Sequence, residues 1–163
     1  MRVSWRIAAA EAGILAGALL LQQTLIRWIA FGPVRPDLTL IALTAIALRR
    51  GPIAGLYAGM AVGLVQDVYA VETLGANALA KCMVGYALGF FEERVVKSMP
   101  ATRVFLLGAG FLAHDVIFYL AAGFRGNAFW GALLRQTAPS VIYTLLLGAV
   151  GFYFFSRLKS KEA

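Results

Sequence analysis

His114 and Asp115 are neighbours inside one apolar run, Lys81 and Cys82 sit inside another, and Asp67 lies near the end of a third. These are the side chains with chemistry to offer. A histidine beside an acid is the raw material of a proton relay, and ionisable groups within apolar segments mark ion paths or polar anchors. Adjacent residues on a helix point about 100° apart, however, and the chain holds a single histidine in 163 residues. The pair therefore reads as a structural hydrogen bond ahead of a pump. Cys82 is the only cysteine, so there is neither a disulfide framework nor a CxxC metal pair, and it reads as a small core residue. The sequence contains no GxSxG, HExxH or GxxxxGK run and no paired carboxylate with a histidine base. The expectation is a protein without catalytic residues, metal or cofactor.

The elements that must hold these residues follow from composition. Hydrophobic residues make up 61% of the chain and charged residues 14%, against about 25% charged in an ordinary soluble domain. A globule this small would lack the polar surface to dissolve, which points to an all-α polytopic membrane bundle. A helix needs roughly 20 residues to cross the hydrocarbon. Breaks at Gly, Pro and charges divide the chain into six apolar segments, 7–26, 37–48, 52–70, 74–91, 103–123 and 138–156. Together they form a single transmembrane domain over 1–163. The segment 37–48 is short for an upright span, so a full crossing and a re-entrant hairpin both stay open. Residues 128–137 read either as a short helix on the outer surface or as the first turns of the last span.

Sidedness follows from lysine and arginine. With the N-terminus inside, ten basic residues fall on the cytoplasmic side and four (Arg27, Arg35, Arg125 and Arg135) on the other, which places both termini in the cytoplasm. Trp5 and Trp28 at the two ends of the first segment, and Phe129 and Trp130 before the last, fit interfacial anchors. The net charge of +7 is scattered, with no basic stripe of the kind a phosphate backbone requires, and nucleic acid is excluded as a partner.

By helical rise, Asp67, Lys81 and Asp115 fall at comparable heights in the outer half of the membrane. The expectation is an intramembrane polar network in which Lys81 pairs with Asp67 or Asp115; the plainer alternative lets Lys81 snorkel alone while Asp67 ends its helix. Glu11 and Gln22, eleven residues apart, share a face of the first segment and read as a seam toward other helices. The most regular pattern is Gly51, Gly55, Gly59 and Gly63, with Asp67 one further step of four along. Small residues at that spacing let two backbones approach closely in lipid. The stripe serves either helix packing within the chain or docking of a partner helix. Gly85 and Gly89 form a weaker second pair.

Residues Arg35-Pro36-Asp37 with the apolar run after them, and Leu48-Arg49-Arg50-Gly51-Pro52-Ile53-Ala54-Gly55, resemble the bacterial rod shape-determining MreD family. The likeness continues through Gly59, Gly63, Asp67, Gly75, Gly85 and Tyr86, and returns weakly at Pro139-Ser140 and Tyr143-Thr144. It implies a non-catalytic membrane scaffold of the elongation complex, binding MreC directly and acting with MreB, RodA and the elongation transpeptidase in cell shape and side-wall peptidoglycan synthesis. Pro36, Asp37, Gly75, Gly85 and Tyr86 are carried over as positions of the family pattern. The fold implied also resembles the substrate-binding subunits of energy-coupling-factor vitamin transporters. That gives a rival reading, a small-molecule transport subunit with a pocket of Gln22, Gln23, Asn77, Lys81 and Asp115.

Overall fold

Glycine and proline punctuate this chain into rods. The computed structural model describes the backbone over 5–29, 36–70, 73–91 and 100–159, and the side chains over 9–24, 36–70, 73–91 and 102–149. Its helices are α1 (Trp5–Ile29), α2 (Leu38–Arg50), α3 (Pro52–Tyr69), α4 (Ala76–Gly89) and α5 (Pro100–Ala121). They are followed by α6 (Asn127–Ala132), a π-helical turn (Leu133–Thr137) and α7 (Ala138–Lys159). The last three form one uninterrupted rod, so residues 128–137 extend the final helix. Counting that rod once, six helices and no strand occur among the described residues. The helices overlie the six segments read from hydropathy. One of them, over Thr102–Ala121, is long and apolar enough by itself to cross a membrane. Trp5, Trp28 and most of the basic residues behind the sidedness count lie outside the described side chains.

The short second segment becomes the centre of the bundle. α2 packs against α1, α3, α4, α5 and α7, and its Leu40, Leu43, Ala47 and Leu48 join Val84, Leu88, Leu106 and Phe111 in the core. A helix apolar on all sides belongs inside a bundle. With 13 residues it spans only about 20 Å, and neighbouring helices cover it where a lipid-facing helix would need more length. Gly51 alone links it to α3, at φ +87°. A Cβ is strained in that region, so Gly51 is a backbone requirement of the turn. It lies just before α3, which starts at Pro52, and the glycine stripe on the helix proper is Gly55, Gly59 and Gly63.

That stripe faces α4. A methyl group placed on Gly55 would overlap the backbone of Gly85, one on Gly59 the backbone of Lys81 and Cys82, and one on Gly63 the backbone of Asn77 and Ala78. From the other side, Gly85 meets Gly55 and Gly89 meets Pro52 and Gly51. The two helices thus form an antiparallel hairpin with backbone against backbone, the approach that small residues permit. Its outer surface is apolar and open, with Ile53, Val68, Tyr69 and Leu74 each more than two-thirds exposed. Phe105 on α5 is 72% exposed. Large apolar side chains in such number on a small chain need an apolar environment.

Replacing Gly59 by Ala is expected to destabilise the protein by about 1–3 kcal/mol, because backbone cannot yield as a side chain does. Gly13→Ala and Gly17→Ala meet open space and are expected to be neutral or to gain up to about 1 kcal/mol of helix propensity. Thermal unfolding of the three variants in one detergent checks the contrast.

Candidate functional site

The buried polar groups gather at one end of the bundle, where α2 and α4 begin and α1, α3 and α5 finish. At the other end Arg50 Nε pairs with Glu11 Oε1 at 2.7 Å, which ties α1 to α2. The polar end is organised around Asp37. Its Oδ1 caps α2 by accepting from the Leu40 N–H at 2.9 Å and also accepts from the Thr39 hydroxyl at 2.6 Å. A carboxylate here satisfies an orphan N–H and meets the positive end of the helix. Its Oδ2 forms an ion pair with Lys81 Nζ. The Lys81 side chain is fully buried and the Asp37 side chain 14% exposed, and the Asp37 N–H reaches Thr144 Oγ1 on α7 at 3.3 Å. Gln22 closes the arrangement from α1, accepting from the Leu38 N–H at 2.7 Å and donating to the Pro36 carbonyl at 3.3 Å.

The expected network of Asp67, Lys81 and Asp115 is corrected by this geometry, because Lys81 pairs with neither acid. Asp67 is buried and works as a distant cap for α4. Its carboxylate accepts from the N–H groups of Asn77 and Ala78 at 3.1 and 2.9 Å and from the Asn77 side chain at 3.0 Å. Gly75, which begins that helix at φ +87° in the left-handed region, has no side chain to cap it. Asp115 belongs to a separate group. It approaches His114 Nδ1 at 3.0 Å and accepts from the Thr137 hydroxyl, whose oxygen lies 3.5 Å from Tyr119 Oη. The adjacent His114 and Asp115 thus meet even though their positions on the helix diverge. That turn brings Thr137 inward to Asp115.

The positions of the family pattern serve packing and capping. Pro36 is buried and Asp37 is the cap. Gly75 starts α4 and Gly85 meets Gly55, while Tyr86 is 42% exposed and packs edge-on to Phe90 at 4.9 Å. Among the described residues no group of His, Cys, Asp and Glu is placed to hold a metal ion. The Glu11 and Gln22 face does meet other elements, at Arg50 and at the start of α2.

A polar cleft of about 270 Å³ opens at this end, lined by Gln22, Gln23, Asp37, Gln66, Tyr69 and Asn77. It contains three of the five residues of the rival pocket. Lys81 is buried against Asp37 and Asp115 against Thr137, and neither lines the cleft, so the pocket read from the sequence is not assembled. Its volume is also below the roughly 300–1,000 Å³ of drug-sized ligand sites. Sequence reasoning missed the partner of Lys81. The signal was present, because Asp37 directly before the apolar run has the form of an N-cap, and Lys81 lies in the second turn of α4, which runs from the same end as α2.

Lys81→Met is expected to cost about 3–5 kcal/mol, the range for leaving one member of a buried pair unpartnered. K81M/D37N is expected to recover part of that loss, and K81M/D115N is expected to be additive. Unfolding free energies of the singles and doubles, measured together, check this.

The family model described as rod shape-determining protein MreD matches residues 12–159. No curated protein and no solved structure matches, and the comparisons lend no support to the expected likeness to vitamin-transporter subunits. The match covers the paired glycines, the Asp37 cap and the closing helix alike, and the chain belongs to the rod shape-determining protein MreD family.

Proposed function

We propose that this protein is a non-catalytic scaffold of the bacterial elongation complex, crossing the cell membrane six times with both termini in the cytoplasm. In this reading it binds MreC directly and, with MreB, RodA and the elongation transpeptidase, governs where side-wall peptidoglycan is made. The observation that carries the reading is the family match over 12–159, which brings a role in cell shape. The apolar outer surface of α3, α4 and α5 supports a membrane location. Fixed polar groups support a scaffold over an enzyme, since the described acids are capped or paired with their own chain.

The glycine stripe on α3 is covered by α4, so a partner helix needs another surface. α1 supplies one. Its packing against the bundle is mainly with α2, and the space beyond Gly13 and Gly17 is open. A single membrane helix laid there gains dispersion contacts through close approach, with no charge to bury.

Co-expression with MreC tests the reading. Wild-type protein is expected to retain MreC through purification, and Gly13→Leu with Gly17→Leu is expected to reduce recovery by about tenfold while the melting temperature holds. Normal recovery from that variant moves MreC to a different surface. Failure of the wild type to retain MreC overturns the direct-binding reading.

A further inference from the structure

The ring of helices around α2 has one place left open. About six rods of equal width fit round another at ordinary helix spacing, and α2 packs against five: α1, α3, α4, α5 and α7. The outer helices follow one another in order, with α1 at the edge of α3, α3 on α4, α4 on α5 and α5 on α7. α7 and α1 do not pack against each other, so the sixth place lies between them. The floor of that place is α2 itself. From Thr39 to Leu48 every residue of α2 is buried except Ile41 and Ala45. These two share one face of the helix, and Ile41 lies beside Gly148 of α7.

Helical rotation sets the walls. On α1, Gln23 lines the polar cleft together with Gln66 and Tyr69 of α3. Ile14 and Leu21 lie on the opposite flank of α1 and are 49% and 47% exposed. On α7, Leu145 lies against Gly108 of α5, and Tyr143 and Leu147 occupy the opposite flank, half-buried. Both open flanks border the same groove. Neither they nor the floor carries a charge, and the small Ala45 and Gly17 allow a backbone to come close.

The length of α2 decides between lipid and protein as the occupant. Its 13 residues span about 20 Å, where the hydrocarbon is about 30 Å thick. Acyl chains filling the groove would run past the polar groups at both ends of α2, Asp37 and Arg49, and the bilayer would have to thin there. A protein helix spans the full depth and brings polar flanks of its own. We propose that the groove between α1 and α7 seats one apolar membrane helix of a partner chain, which completes the ring around α2. This deepens the scaffold reading and rests on it, since Gly17, already placed under the MreC helix, lies on the groove side of α1.

The test uses the full-length chain co-expressed with MreC in membranes. The photo-cross-linker benzoylphenylalanine replaces Ile14 or Tyr143 at the groove, or Leu79, which is 50% exposed on α4 across the bundle. Irradiation is expected to join MreC to positions 14 and 143 at least tenfold more than to position 79. In parallel, Ala45→Trp fills the floor from within and is expected to lower MreC recovery about tenfold at unchanged melting temperature, while Leu79→Trp leaves recovery intact. Lipid adducts alone from positions 14 and 143, or capture at position 79 equal to theirs, overturn the groove while MreC retention keeps the scaffold reading. Full recovery with a folded Ala45→Trp variant overturns the groove as well. If wild-type protein does not retain MreC and no position captures it, the direct-binding reading falls and the groove falls with it.

Discussion

The approach of α3 to α4 without intervening side chains sets the positions of nearly everything else at the polar end. Where Gly59 faces the Lys81 backbone and Gly63 faces Ala78, the hairpin is held in one register. Asp67 then lies at the first turn of α4, within reach of two backbone N–H groups that Gly75 cannot serve. The same register carries Lys81 to the start of α2, where Asp37 caps the helix. A side chain on any of these glycines would push α4 outward and separate the ion pair. In lipid, where apolar surface gains nothing by leaving one hydrocarbon for another, such contact is a principal source of helix adhesion. The glycines and the charges therefore form one device, in which packing supplies the distance and the ion pair uses it.

The sequence made the helices legible because their boundaries are chemical. Gly51-Pro52 and Pro100 stand where helices stop or start, and charged pairs such as Arg49-Arg50 end apolar runs. The stripe Gly55, Gly59 and Gly63 was visible as a pattern, but its partner was not. An i, i+4 repeat defines a face of one helix and says nothing of which helix covers it, and the matching pair Gly85 and Gly89 was too short to decide. The polar pairings failed for a related reason. Counting residues gives height in the membrane and leaves rotation about the axis unknown, so Asp67 and Asp115 competed for Lys81 on height alone. Asp37 looked like a terminal residue, and its double role as cap and counter-charge emerges only when α4 packs on α2. Thr137 gave less warning still, since a π-helical turn has no sequence signature of its own.

Three polar side chains expected in a single network are instead divided among separate partners. Asp67 takes backbone donors, Asp115 takes Thr137 and His114, and Lys81 takes Asp37. A division of this kind bears on specificity more than on stability, because burying an ion pair often gives no more than packed apolar groups of the same volume would. It penalises every alternative arrangement. Were α4 to slip by one turn, about 5.4 Å, Lys81 would lose Asp37 and the first N–H groups of α4 would lose Asp67. Both losses fall in a low-dielectric interior, where an unmade polar contact is most costly. α2 and α4 are thus locked against each other at one end by charge and along their length by Leu40, Leu43, Val84 and Leu88. A bundle held this way resists sliding of α4 along α2 and presents its outer faces in fixed relation.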